Sequence, residues 1–350
     1  MPAWSAQRAL STSGETSRHS SLALACLLAI AWCLSPGVAA AQNDGLNRVG
    51  INARAGTLFL TRSNPSAKTY LTEFPGPPVL DASDFHFNTA TGWDLGLGVN
   101  PTNTWGVDAR FFRVDGYNTS GSVTDSGAGA PPGLGVSFSN SPLGNFLVSP
   151  VTALLSYRSA LTSAELNARF YPLGENWCFL AGFRYINYQD RVNVATVSAG
   201  PFFNVIDTET DNNLFGLQSG VEGRLLRWDW FTLDASGKAG VYGNQSRAAF
   251  NNLSNFFIGN GYTSQVEGQT SFLGETALTA GVDLTDNITL RLGYQCLWLG
   301  GIAVGTDQPS VNSALFPGGF GAPGGAAATD VQTTGAAFYH GALVSLEVRR

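Results

Sequence analysis

Eleven charged residues recur on one parity of segments whose other parity is apolar: Asp108, Arg110, Glu165, Arg169, Arg184, Glu222, Asp234, Lys238, Glu275, Arg291 and Glu347. Charges spaced this way share one face of a strand, because successive side chains alternate. Lining a passage, they would make an ion or solute constriction. Packed together in a narrow interior, they would pair and fill it. Unpaired buried charge is costly, and six acids against five bases are near balance, so pairing is the expectation.

The remaining reactive residues are sparse. His86 lies near Asp84, and a loop Asp-His pair could activate water by general-base chemistry if further carboxylates faced it across a cleft. A solvated loop pair is the plainer reading. His340 falls on an apolar parity, where a Ser nucleophile would complete a lipid-directed pair. Its neighbour on that face along the strand is Ala342, so the set is incomplete and a hydrogen-bonded interfacial His is expected. Asp207, Glu209 and Asp211 beside Asn212 and Asn213 offer oxygens for Ca²⁺ but lack the Gly and terminal Glu of a calcium loop. Gly96 and Gly98 form a Gly-x-Gly with no following helix, so no dinucleotide fold follows. Neither Cys-x-x-Cys nor His-Glu-x-x-His occurs. The expectation is no catalytic residue, no metal and no cofactor, with a hydrolase built on His86 as the enzymatic alternative.

Composition narrows what must position these charges. Charged residues are 13%, apolar residues 44%, and Gly is 42 of 350, a balance suited to long strands rather than coiled coils or helical repeats. A net charge of −6 argues against nucleic-acid binding. Residues 1–41 read as a cleaved export signal. Arg8 and Arg18 precede the uncharged run Leu22 to Leu34; Ser35-Pro36-Gly37 breaks it; Ala39-Ala40-Ala41 offers a cleavage site before Gln42. The run is shorter than the about 20 residues of a membrane-spanning helix. Residues 42–48 form a short periplasmic lead, and 49–350 the remaining domain. If that domain enters a membrane, it must do so as a closed barrel.

About ten segments alternate with period two. Trp93, Leu95, Leu97 and Val99 oppose Asp94, Gly96 and Gly98; Leu278, Ala280 and Val282 oppose Ala277, Thr279 and Asp283; Val344, Leu346 and Val348 oppose Ser345, Glu347 and Arg349. Short connections at Asn100–Asn103, Pro172–Asn176, Leu226–Asp229 and Leu284–Asn287 alternate with long ones at about 62–88, 119–152, 191–210, 246–268 and 303–333. The predicted fold is all-β: a transmembrane antiparallel up-and-down barrel of about ten strands, with eight or twelve open, short periplasmic turns and long extracellular loops. Aromatics form two girdles. Trp105, Phe170, Trp177, Trp228 and Trp230 lie near short turns, and Trp93, Tyr117, Tyr185 and Trp298 toward long loops. Cys178 falls on the inward parity and Cys296 on the outward one, so two free thiols are expected. A soluble secreted β-protein, with its apolar face inward, is the alternative architecture.

The strings Asp211-Asn212-Asn213-Leu214-Phe215-Gly216-Leu217-Gln218, Gly240-Val241-Tyr242-Gly243-Asn244, Phe272-Leu273-Gly274-Glu275, Leu284-Thr285-Asp286-Asn287, Arg291-Leu292-Gly293-Tyr294-Gln295 and Phe338-Tyr339-His340-Gly341-Ala342 occur in order. Together they resemble the planctomycete-type outer-membrane β-barrel family over roughly 160–350. The resemblance implies a bacterial outer-membrane barrel of unassigned molecular role, with membrane lipid and the barrel-insertion machinery as partners. The chain ends Val348-Arg349-Arg350, without the terminal aromatic usual in such barrels. The expected function is structural, surface-exposed or adhesive, with a narrow charge-filled lumen; a small pore for ions or solutes is the alternative.

Overall fold

The computed structural model describes residues 49–65, 69–73, 78–81, 84–125, 133–136, 146–148, 151–172, 176–198, 203–254, 261–308 and 331–350. The export-signal and 42–48 readings lie outside the described residues. Ten antiparallel strands close into one barrel: β1 (Gly50–Arg62), β4 (Ala90–Asn100), β5 (Trp105–Asp125), β8 (Val151–Phe170), β9 (Trp177–Ser198), β10 (Phe203–Trp228), β11 (Phe231–Ser254), β12 (Gly261–Thr285), β13 (Ile288–Ile302) and β14 (Gly335–Arg349). Pairing of β1 with β14, from Asn52↔Arg349 to Arg62↔Tyr339, completes the ring and leaves no open edge.

The short connections at one rim hold few residues, such as the turn between Trp228 and Phe231. There Tyr171 packs inward, with its hydroxyl 3.4 Å from the Asn100 Oδ1 that accepts from it. Burial pushes that hydroxyl above its usual range, so it stays a neutral donor. At the opposite rim the wall is uneven. β5 and β8 through β12 have 20 to 26 residues each, whereas β13, β14, β1 and β4 stop at 15 or fewer.

That unevenness corrects two predicted loops. Most of 191–210 and of 246–268 continues as strand, with Arg191↔Glu209 and Arg247↔Val266 in register. Their outward residues mix polar and charged groups such as Arg191, Asn193, Asp207, Glu209 and Arg247 with a few apolar ones such as Val197 and Val266, so the regular hydrophobic alternation that marks a strand in lipid is lost although the ladder is not. Two other long connections contribute short strands of their own. β2 (Thr69–Glu73) pairs with β3 (Pro78–Asp81) and with β6 (Gly133–Val136), and β6 pairs with β7 (Phe146–Val148).

In the lower wall the apolar parity points out. Leu97 is 44% exposed, Leu217 71% and Leu346 49%, while Asp94, Glu165 and Arg184 facing the axis are at 5% or less. Tyr117 is a correction. A register shift between Val114 and Tyr117, with Gly116 at φ +95°, turns its ring into the interior instead of the girdle. Cys178 and Cys296 are both free thiols.

Candidate functional site

The interior has two layers. The lower one contains all eleven predicted charges. Arg110, held by β5, is the hub: Nε donates to Asp94 Oδ2 at 2.6 Å, Nη1 to Glu275 Oε1 at 2.8 Å and Nη2 to Gln295 Oε1 at 2.8 Å. Across the barrel, Arg184 Nη1 donates to the other Glu275 oxygen at 2.6 Å and Nε to Ser163 at 2.9 Å. Lys238 Nζ donates to Glu165 Oε1 at 2.7 Å, and Gln218 to Glu165 Oε2 at 2.5 Å. These groups come from eight strands and meet on the axis, so Glu275 ties opposite walls together. The Phe112 ring lies 5.0 Å from the Arg110 guanidinium and 5.7 Å from that of Arg184, one inward step above both, so it caps the two charges with a cation–π contact.

Nearer the short-turn rim the pairing continues. Arg169 donates to Glu222 at 2.5 Å and lies 3.8 Å from Asp108; Arg224 is 2.9 Å from Asp234; Arg291 pairs with Glu347, which also meets Arg349 at 2.7 Å. A polar cavity of about 160 Å³ opens among Arg54, Asp108, Arg169, Arg291 and Glu347. Sequence reasoning missed Arg54, Asp94, Arg224 and Arg349 as members. Asp94 and Arg349 had the inward parity, and Arg224 continues the parity of Glu222 but sits beside a predicted turn.

The upper layer is apolar and aromatic, which the sequence did not suggest. Leu58, Leu60, Val114, Tyr117, Tyr157, Leu161, Tyr188, Leu297, Leu299 and Tyr339 form one buried cluster. Phe85 and Phe87, from the connection before β4, enter it, and the Phe87 ring packs 4.9 Å from Tyr157. At its centre a fully buried Arg62 donates to Asp190 at 2.8 and 3.2 Å and to the Tyr157 hydroxyl at 2.9 Å. Tyr157 and Tyr188 both donate to Asp190 Oδ2, at 2.6 and 2.7 Å.

The chain leaving β13 closes this layer from above. Gly301, at φ +76°, turns it into the mouth. Ala303 then exchanges two 2.8 Å hydrogen bonds with the Asn212 side chain. Gly305, starting a 3-10 turn to Asp307, donates its N–H to Asp190 at 3.2 Å.

The other sequence candidates lie apart from one another. His86 is exposed, its Nδ1 2.7 Å from Asn64 Nδ2. Asp207 accepts two bonds from Arg191, at 2.9 and 2.5 Å, and Asp211 accepts from Asn187 at 2.7 Å, so these carboxylates belong to a cross-strand ladder on the outside of the upper wall. His340 faces outward with Nδ1 2.7 Å from the Tyr294 hydroxyl. Among the predicted girdle residues, Trp105, Phe170, Trp177, Trp228 and Trp230 are exposed near the short turns. Trp298 is exposed toward the other rim, where Trp93 stacks on Phe111 at 4.8 Å and Tyr185 packs on Phe215 at 4.8 Å.

No family model and no curated protein matches the chain. Solved structures similar to it include the outer membrane protease OmpT of Escherichia coli, 13% identical over 86% of this chain and 97% of that one, TM-score 0.45. The translocator domain of the autotransporter NalP of Neisseria meningitidis is 11% identical over 98% and 100%, TM-score 0.39. A mutant of the TodX monoaromatic hydrocarbon channel is 9% identical over 86% and 91%, TM-score 0.30.

Proposed function

We propose that this chain is a bacterial outer-membrane protein, exported by a cleaved signal, whose barrel is filled rather than open and whose role is structural or adhesive at the cell surface. The observation that carries this reading is Glu275 bridging Arg110 and Arg184 across the axis, beneath an apolar layer closed by Arg62 and Asp190. An ion would have to part both. The outward face supports a lipid setting. Apolar side chains cover it for about nine to eleven residues per strand in β8, β9 and β11, enough for roughly 25 Å of hydrocarbon at the usual tilt. Polar and charged groups then begin with Arg158, Asn187 and Gln245.

The wall continues well past that border. Past Gln245, β11 continues to Ser254, an extension of roughly 25 Å at the usual rise and tilt. That extension and the small sheet of β2, β3, β6 and β7 supply the surface an adhesive or scaffolding protein needs. The resemblance to the planctomycete-type family, with outer-membrane lipid and the insertion machinery as partners, is part of the same reading.

Planar-bilayer recording tests it. The refolded barrel is expected to insert without single-channel steps, and steady unitary conductance from the wild type overturns the filled-lumen reading. The second reading, a narrow pore with selectivity set by inward charges, is favoured by the polar cavity at the short-turn rim, and the same recording decides between them.

A further inference from the structure

The outward face of β13 and β14 carries polar residues where lipid-facing ones belong. Cys296 stands directly opposite His340 in the ladder, and Thr276 directly opposite Cys296 on its other side. Directly opposed side chains have Cβ atoms about 5 Å apart. Trp298 and Phe338 are paired one step above, and Tyr294 lies one step below, bonded to His340 Nδ1. Along its own strand face His340 has only Ala342 beside it; the reactive neighbour lies across the ladder.

A shallow groove of about 820 Å³ leads to this row along the outer wall of β9 to β13. Cys296 and Trp298 stand at one end, Phe179 and Val221 at the other. Gly237 and Gly274 floor it, and a Cβ on either would meet nothing within 4 Å. Four inter-strand steps make it roughly 19 Å long, comparable to the about 15 Å that one leaflet's chains span. Because strands tilt, the groove slants from the upper girdle, where Trp298 and Phe338 mark the interface, toward the short-turn rim. Ester bonds of membrane lipids lie at that interface, so a chain in the groove brings its ester carbonyl to the level of Cys296.

We propose that Cys296, His340 and Tyr294 form a thiol-based acyl-acceptor site for membrane lipid esters, with the groove holding the acyl chain. This rests on the outer-membrane reading above. In the tautomer that donates Nδ1–H to the Tyr294 oxygen, His340 Nε2 is the base. It takes the thiol proton as Sγ attacks the ester carbonyl carbon. A Sγ–C bond forms, the C–O bond to glycerol breaks, and the proton passes from His340 to the departing alkoxide. The products are a Cys296 thioester and a lysolipid, with no oxidant or other co-reactant required.

The test uses the full barrel refolded into vesicles of dipalmitoyl phosphatidylethanolamine. Intact-protein mass spectrometry is expected to find one palmitoyl adduct per chain, located on Cys296 by peptide mapping and removed by hydroxylamine, with lysolipid in the extract. Cys296→Ala abolishes both, and His340→Gln slows adduct formation on the order of a hundredfold. Gly274→Phe, which fills the groove and leaves the thiol in place, reduces the adduct; Cys178→Ala, inside the lumen, leaves it unchanged. Absence of adduct and lysolipid from a wild-type barrel that inserts and shows heat-modifiable mobility overturns the site, as does lysolipid release undiminished in Cys296→Ala. Failure of the wild type to insert or to shift on boiling instead strikes the membrane reading.

Discussion

The two halves of β9 obey opposite rules. From Trp177 to Tyr185 the outward residues are Trp177, Phe179, Ala181, Phe183 and Tyr185, and the inward ones include Gly182 and Arg184. From Ile186 to Val194 the outward residues are Asn187, Gln189, Arg191 and Asn193, and the inward ones Ile186, Tyr188, Val192 and Val194 are buried. Pairing with β10 runs unbroken through the change, so the strand does not slip; in the outer-membrane reading proposed above, it is the solvent outside that changes. Below the border lipid rewards apolar side chains outside, and the interior fills with paired ions. On that reading water surrounds the wall above it, and the interior becomes an apolar and aromatic layer packed around the buried Arg62–Asp190 pair.

Removing Glu275 should separate the halves most strongly. Glu275→Ala leaves Arg110 and Arg184 buried without their shared partner, and breaking a buried pair costs about 3–5 kcal/mol. Urea unfolding of the refolded barrel in detergent, followed by Trp emission, should report that loss. A shift under 1 kcal/mol would mean that water already satisfies those guanidiniums and that the lower layer is wet rather than cross-linked.

A matched pair on the outer wall sharpens the contrast. Leu217 and Val266 both point outward, 71% and 58% exposed, the first below the border and the second above it. Leu217→Arg should cost about 1–2 kcal/mol in bilayers, less than the about 2–4 of the midplane because Leu217 lies one outward step below the border. Val266→Arg should stay within about 0.5 kcal/mol, as a surface change in water does. Equal costs at the two sites would erase the border.

How much of this was legible follows from the same rule. Ten strands, the short turns and the inward charges could be read because, below the border, apolar and polar residues alternate in phase with the pleat. Arg62 and Asp190 could not, since nothing in the sequence says that a residue of β1 meets one of β9 across the mouth. The upper ends of β9 to β12 read as loops because their outward Arg191, Asn193, Asp207, Glu209 and Arg247 look like loop residues once lipid no longer selects that face. The phase in which hydrophobic residues alternate flips between Tyr185 and Ile186. That flip is a sequence signal for the membrane border. Cys296 beside His340 needed the ladder register, which no single strand carries.

The smallest effect is expected where the upper wall meets water. Arg191 reaches Asp207 at 2.5 Å, yet its side chain is 55% exposed. An ion pair so placed gains little over hydration and pays side-chain entropy, so Arg191→Ala should cost no more than about 1 kcal/mol, and less at high salt. The buried Arg62–Asp190 pair, similar in chemistry, is shielded from salt by the aromatic layer. Measuring both arginine variants at low and high salt therefore compares inside with outside at nearly one height of the barrel. If the Arg62→Ala penalty fell with salt as the Arg191→Ala penalty does, the mouth would be open to water and the upper layer would not be a seal.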